Sequence, residues 1–247
     1  MADFTINNKY YELELVAFDK DGTLVDFNHM WGQRFKQWLV DLVTHVDGDD
    51  PLLISLERTI GLDSISQTVI PESPLAVATM AKISAAAMTV LYQHGYTWHE
   101  AEAAVNYINQ AAETVIAPHL VKPVGDVVGA ITRLVEKGVR IAVITSDDRA
   151  ITQSTLPLLG IEQSVDILVC GDDPLPNKPD PAGLIHISQQ FDIPLRKIAM
   201  VGDTASDMVF GRNAGVGCCV GITGGAGDLI SLRQHADVIA ASISEIW

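Results

Sequence analysis

Residues 13–23 read LELVAFDKDGT: a short apolar run, an aspartate, and then a lysine, a second aspartate, a glycine and a threonine. The same shape returns downstream in VRIAVIT (139–145), DILVCGD (166–172), KIAMVGD (197–203) and CCVGIT (218–223). Short continuous apolar runs bounded by turn residues suit strands buried on both faces, as in a parallel sheet. The segments between them carry helical periodicity. Across 124–137 the apolar residues Val124, Val127, Val128, Ile131, Leu134 and Val135 share one helical face, with Gly138 placed to end the helix. Residues 150–159, 181–191 and 206–213 alternate in the same way. Strand–helix alternation predicts an α/β fold: a doubly wound, mainly parallel sheet built from right-handed crossovers.

Residues 27–119 break this rhythm. The stretch is rich in Ala and Thr, shows no convincing strand, and reads as helices over 29–46, 51–60, 74–94 and 98–116. An all-helical insertion is therefore expected at 27–119, over a core made of 1–26 and 120–247. Connections near 25–28 and 118–123 meet at one end of the core and allow the insertion to rock as a lid.

Composition narrows the function. The chain has 247 residues, 48% of them hydrophobic, enough for a substantial core. Its formal charge of −15 opposes attraction to nucleic acid or to an anionic membrane surface. The most apolar window, 76–92, contains Lys82 and polar interruptions, and reads as a helix packed in protein. The opening MADFTINNKYYELEL has no basic segment followed by an apolar stretch, so no signal peptide is expected. Three cysteines, Cys170, Cys218 and Cys219, make no disulfide framework and fit the cytoplasm.

Ligands of open α/β sheets bind beyond the carboxyl ends of the strands. That edge would gather Asp19 and Asp21, Thr145 and Ser146, and Asp203 and Asp207, with Lys178 on the NKPDP loop. Two carboxylates about 4 Å apart repel by roughly 4 kcal/mol at an effective dielectric near 20. Asp19, Asp203 and Asp207 against Lys178 therefore call for a cation, and oxygen-only donors favour Mg²⁺ over Zn²⁺. The metal would also attract an anionic substrate despite the overall charge. A calcium loop starting at Asp19 fails, because its twelfth residue is Met30.

These residues resemble the haloacid dehalogenase-like hydrolase superfamily. The matches run in order: DxDGT at Asp19–Thr23, a hydroxyl after an apolar strand at Thr145, a lysine at Lys178, and GDxxxD from Gly202 to Asp207. The chain looks most like the phosphoglycolate phosphatase and β-phosphoglucomutase branch, with a Rossmann-like core and an inserted helical cap. The resemblance implies a Mg²⁺-dependent phosphatase acting on a small phosphorylated metabolite through an aspartyl-phosphate, with a sugar phosphomutase as the alternative. It implies Asp19 as nucleophile and Asp21 as acid/base. Mg²⁺ would be held by Asp19, the Asp21 main-chain carbonyl, Asp203 and Asp207, and phosphate by Thr145, Ser146 and Lys178. A phospho-acceptor with an idle site, a third possibility, would not need Asp21. His29 and Trp31 are candidates to line the substrate pocket, and Arg149 to meet a substrate anion. The glycine-rich run 221–227 reads as a flexible loop at the rim. The oligomeric state is not legible.

Overall fold

The computed structural model describes residues 2–6, 9–63, 66, 68–111 and 116–246. A hairpin of β1 (Ala2–Ile6) and β2 (Lys9–Leu13) leads into β3 (Leu15–Phe18). A π-helical turn (Asn28–Gly32) and α1 (Gln33–His45) follow, then α2 (Asp50–Ile60), β4 (Leu62–Asp63) and β5 (Thr68–Val69). The helices α3 (Pro74–Val77), α4 (Met80–Gln93) and α5 (Trp98–Ala111) complete the insertion. Alternation then resumes with α6 (Val127–Glu136), β6 (Arg140–Ile144), α7 (Arg149–Leu159), β7 (Ile167–Val169) and α8 (Ala182–Phe191). It ends with β8 (Ile198–Gly202), α9 (Ala205–Ala214), β9 (Cys218–Ile222), α10 (Leu229–His235) and β10 (Val238–Ala240).

Six strands form one parallel sheet in the order β10-β9-β8-β3-β6-β7. Every residue of β3, β8 and β9 is buried, as a sheet covered on both faces demands. Successive side chains point to opposite faces. Val16, Phe18, Ile141, Val143 and Val201 pack with Ile131 and Leu134 of α6 and Leu156 of α7. Leu15, Ala17, Ala142, Ile144 and Met200 pack with Leu184 and Ile187 of α8 and Phe210 of α9. The strand order reverses around β3, flanked by β6 and β8, so the three carboxyl ends meet at the topological switch point.

Within the insertion, α1, α2, α4 and α5 pack on one another. A polar clamp ties three of its segments: Trp38 Nε1 donates to Asn109 Oδ1 at 3.0 Å, and Asn109 Nδ2 donates to Ser84 Oγ at 3.0 Å. The outgoing and return connections run side by side, with Asp26 N–H donating to Lys122 O at 2.8 Å and Val124 N–H to Leu24 O at 3.1 Å. Apolar packing passes from the α6–α7 face through Leu24, Val25, Phe27 and Met30 into the inserted helices.

Two expectations need correction. The insertion is not all helical: β4 and β5 pair as an antiparallel ribbon, Leu62 with Val69 and Asp63 with Thr68. Only Leu62 and Val69 are buried, and two residues are too few for a periodicity to show. The helix expected over 74–94 is broken where Ala78 and Thr79 take extended backbone, which separates α3 from α4 and leaves residues 75–78 and Met80 along a cavity wall. The helix expected over 98–116 runs to Ala111; its last part, 112–115, lies outside the described residues. No helix among the described residues is long and apolar enough to cross a membrane.

Candidate active site

Asp19 leaves β3 at the carboxyl edge, its N–H donating to Val201 O of β8 at 2.8 Å. The chain turns at once: Gly22 N–H donates to Val25 O at 2.7 Å and Leu24 N–H to Lys20 O at 2.9 Å. Gly22 sits at φ +88°, and a Cβ there would stand 2.2 Å from Asp203 Oδ2, so only glycine fits. Thr145 follows β6 and Asp203 follows β8. Lys178 reaches the same edge from the loop between β7 and α8.

These groups converge. Lys178 Nζ lies 2.6 Å from Asp19 Oδ1 and 2.7 Å from Asp207 Oδ1. Oxygens of Asp19, Asp203 and Asp207, all buried, lie within 4.8 Å of one another. Asp207 also closes the N-terminus of α9. Its Oδ2 accepts the Thr204 hydroxyl at 2.7 Å and the Thr204 N–H at 3.1 Å, while its own N–H donates to Thr204 Oγ1 at 3.3 Å. Asp203 Oδ2 accepts the Ala226 N–H at 2.6 Å, and Thr23 Oγ1 donates to its Oδ1 at 3.4 Å.

Burial sets the electrostatics. It pushes the Asp19 carboxyl up to about 7; Lys178 opposes the shift, while Asp207 and Asp21 add to it. Asp203 is raised well above the carboxylate range by burial, then by Asp19 and Asp207. On Lys178, burial opposes the charge, but Asp19 and Asp207 prevail and raise it. Three carboxylates against one ammonium leave two negative charges, which a divalent cation would cancel. The donors are all oxygens in a compact buried group, which fits a hard metal ion. The carboxylate of Asp21 stands outside that group, so any part it plays there would fall to its main-chain carbonyl, as the resemblance implies.

A second buried network adjoins the first. Lys20 is 0% exposed, with Nζ 2.6 Å from Asp21 Oδ1 and 3.1 Å from Asp147 Oδ2. Trp31 Nε1 donates to the same Asp21 oxygen at 2.8 Å. Burial pushes the Asp147 carboxyl up to about 6 against the pull of Lys20. Asp147 N–H donates to Thr145 Oγ1 at 3.1 Å, which uses that oxygen as acceptor and leaves its proton for a ligand.

Every expected site residue, Asp19, Asp21, Thr145, Ser146, Lys178, Asp203 and Asp207, lines one cavity of about 60 Å³. Its far wall comes from the insertion and is apolar, with Phe27, Trp31, Phe35, Leu75, Val77 and Met80. Trp31 is there as expected; His29 is not. Its Nε2 pairs with His119 O at 2.9 Å, across the two connections. Arg149 is engaged elsewhere too: Nη2 lies 2.6 Å from Asp173 Oδ2 and donates to Leu168 O at 3.2 Å, so it braces the β7 end. The glycine-rich loop is no free rim. A Cβ at Gly225 would stand 2.2 Å from Asp203 Oδ2, and one at Gly227 would stand 1.9 Å from Asp203 O. Sequence reasoning missed Lys20 and Asp147. A lysine between two aspartates reads as a solvated turn, and the one available signal was its place directly after a fully apolar strand.

A model of the haloacid dehalogenase-like hydrolase family matches residues 13–215. The chain is 33% identical over 110 residues to the plasmid phosphoglycolate phosphatase of Cupriavidus necator, covering 44% of this chain and 48% of that protein. It thus spans about half the length of that relative. It is 26% identical over 253 residues to the phosphoglycolate phosphatase of Escherichia coli K12, covering 97% and 93%. A candidate haloacid dehalogenase-like hydrolase from Bacteroides fragilis superposes with a TM-score of 0.69 at 20% identity, over 94% of this chain and 99% of that one. That likeness speaks for the fold. With four motifs in one cavity and the family model spanning most of the sequence, this chain belongs to the haloacid dehalogenase-like hydrolase family.

Proposed function

We propose that the chain is a Mg²⁺-dependent phosphatase that hydrolyses a small phosphomonoester through an aspartyl-phosphate. The observation that carries this reading is Lys178 seated between Asp19 and Asp207, with Asp203 in the same buried group. The Asp19 carboxylate attacks phosphorus, and the bond from phosphorus to the alkoxide oxygen breaks. Asp21 gives its proton to that oxygen. Asp21 then takes a proton from a water, which attacks phosphorus and frees Asp19 and inorganic phosphate. Thr145 and Ser146 hold phosphoryl oxygens, and Lys178 balances charge on the nucleophile and on those oxygens. The Asp19, Asp203 and Asp207 carboxylates and the Asp21 carbonyl would hold Mg²⁺, which supplies neutralising charge at the phosphoryl group and favours the ionised form of Asp19 that attack requires.

The insertion, 27–119, serves as a lid over a core of 1–26 and 120–247. Its apolar wall suits a compact leaving group and keeps bulk water out. Phosphoglycolate, the substrate named for relatives, is a compact phosphomonoester of this kind. Three buried free thiols support a reducing compartment, the cytoplasm.

The test is phosphate release from 4-nitrophenyl phosphate with Mg²⁺ and no added sugar bisphosphate. We expect turnover that a chelator abolishes and that Asp19→Asn lowers at least about a thousandfold. Full activity in that variant would contradict the reading. Strict dependence on a sugar bisphosphate would favour the phosphomutase.

A further inference from the structure

The Asp21 carboxylate is held by two donors that no step above uses. Lys20 Nζ, at 2.6 Å, and Trp31 Nε1, at 2.8 Å, both meet Oδ1. Lys20 is sealed from solvent, and its ammonium lies 5.9 Å from the centre of the Trp31 ring. A buried ammonium is costly unless paired, and here its second partner is Asp147 at 3.1 Å. The three groups around Lys20 thus come from three places: the turn after β3, the loop after β6, and the π-helical turn that opens the insertion. Such irregular turns recur at functional sites, and this one brings the Trp31 indole to Asp21.

From this convergence we infer that Lys20 and Trp31 are positioning residues for Asp21. They fix Oδ1 and so leave Oδ2 to carry the proton exchanged with the leaving group and then with water. Asp147 anchors Lys20 in turn. Because Trp31 belongs to the insertion, the orientation of Asp21 depends on the insertion lying over the site. The inference rests on the reading of Asp21 as acid/base.

Leaving-group dependence tests it. An alkoxide needs a proton as it departs, whereas 4-nitrophenolate scarcely does, so misplacing the acid harms alkyl esters selectively. Trp31→Phe keeps an aromatic ring and removes only the N–H donor; Lys20→Met removes the ammonium. Each is compared with wild type on 4-nitrophenyl phosphate and on the faster of phosphoglycolate and glycerol phosphate, with circular dichroism to confirm folding. We expect the ratio of alkyl to aryl kcat/KM, which covers attack and leaving-group departure but not the water step common to both esters, to fall at least about tenfold in Trp31→Phe. Lys20→Met should show the same selectivity. Equal losses of kcat/KM on both esters would overturn the positioning role, since a general packing defect does not discriminate between leaving groups. Asp21→Asn separates the two claims. If it kept full alkyl activity, the acid/base reading would fail and this inference with it. If it lost alkyl activity selectively while Trp31→Phe did not, only the inference would fail.

Discussion

Gly22 shows how tightly backbone and carboxylate are fitted at the residue scale. Its φ is +88°, and only 2.2 Å would separate a Cβ at this position from Asp203 Oδ2, which leaves no room for a side chain. Gly22→Ala would have to strain the turn and displace Asp203 as well. We predict that it lowers stability by about 1–3 kcal/mol and weakens Mg²⁺ activation, measured by thermal melting and by activity against Mg²⁺ concentration. Unchanged Mg²⁺ dependence would show that Asp203 need not sit where it does. Gly22 stands in the turn after the first buried strand, but the sequence does not say what it approaches: Asp203 follows another strand, and only the sheet order joins them. Asp19 and Asp203 were legible because each follows an apolar run. Lys20 and Asp147 were not, since their burial comes from the packing of three distant segments.

At the scale of elements, α9 carries Asp207 on its first turn. Thr204 caps the helix and also bonds the Asp207 carboxylate, so the cap and the acidic group share one device. Thr204→Ala is predicted to cost about 1 kcal/mol through the lost cap. It should also reduce kcat more than that destabilisation explains, because Asp207 loses an orienting partner while still facing Lys178. Chemical denaturation and steady-state kinetics on the same variant check both parts; a stability loss with kcat unchanged would detach the cap from the site. The sheet was the most legible part of the molecule. β3, β6, β8 and β9 are buried on both faces, and their apolar runs say so. β1, β2 and β10 lie toward the margins, and the β4–β5 ribbon has two residues per strand, so none produces a run long enough to read. The break between α3 and α4 likewise escaped, because Ala, Val and Thr there are compatible with helix until the cavity wall is known.

For the whole molecule, charge organises the fold around its site. Asp19 and Asp203 bind protons more tightly when folded than when unfolded, where a carboxyl titrates near 3.9. Between those values the folded state holds the extra protons, so their contribution is fully present below about pH 4 and is lost as pH rises through about 7 for Asp19. A divalent cation binds the ionised carboxylates and displaces those protons, so its stabilising effect must grow across the same window. The most direct measurement is a calorimetric titration with Mg²⁺ at pH 5.5 and pH 8, paired with melting curves at each pH. We predict one Mg²⁺ per chain, proton release on binding, a larger rise in Tm at pH 8 than at pH 5.5, and no binding in Asp203→Asn. Binding that is absent, insensitive to pH, or intact in Asp203→Asn would contradict the claim that Asp19, Asp203 and Asp207 form one cation site.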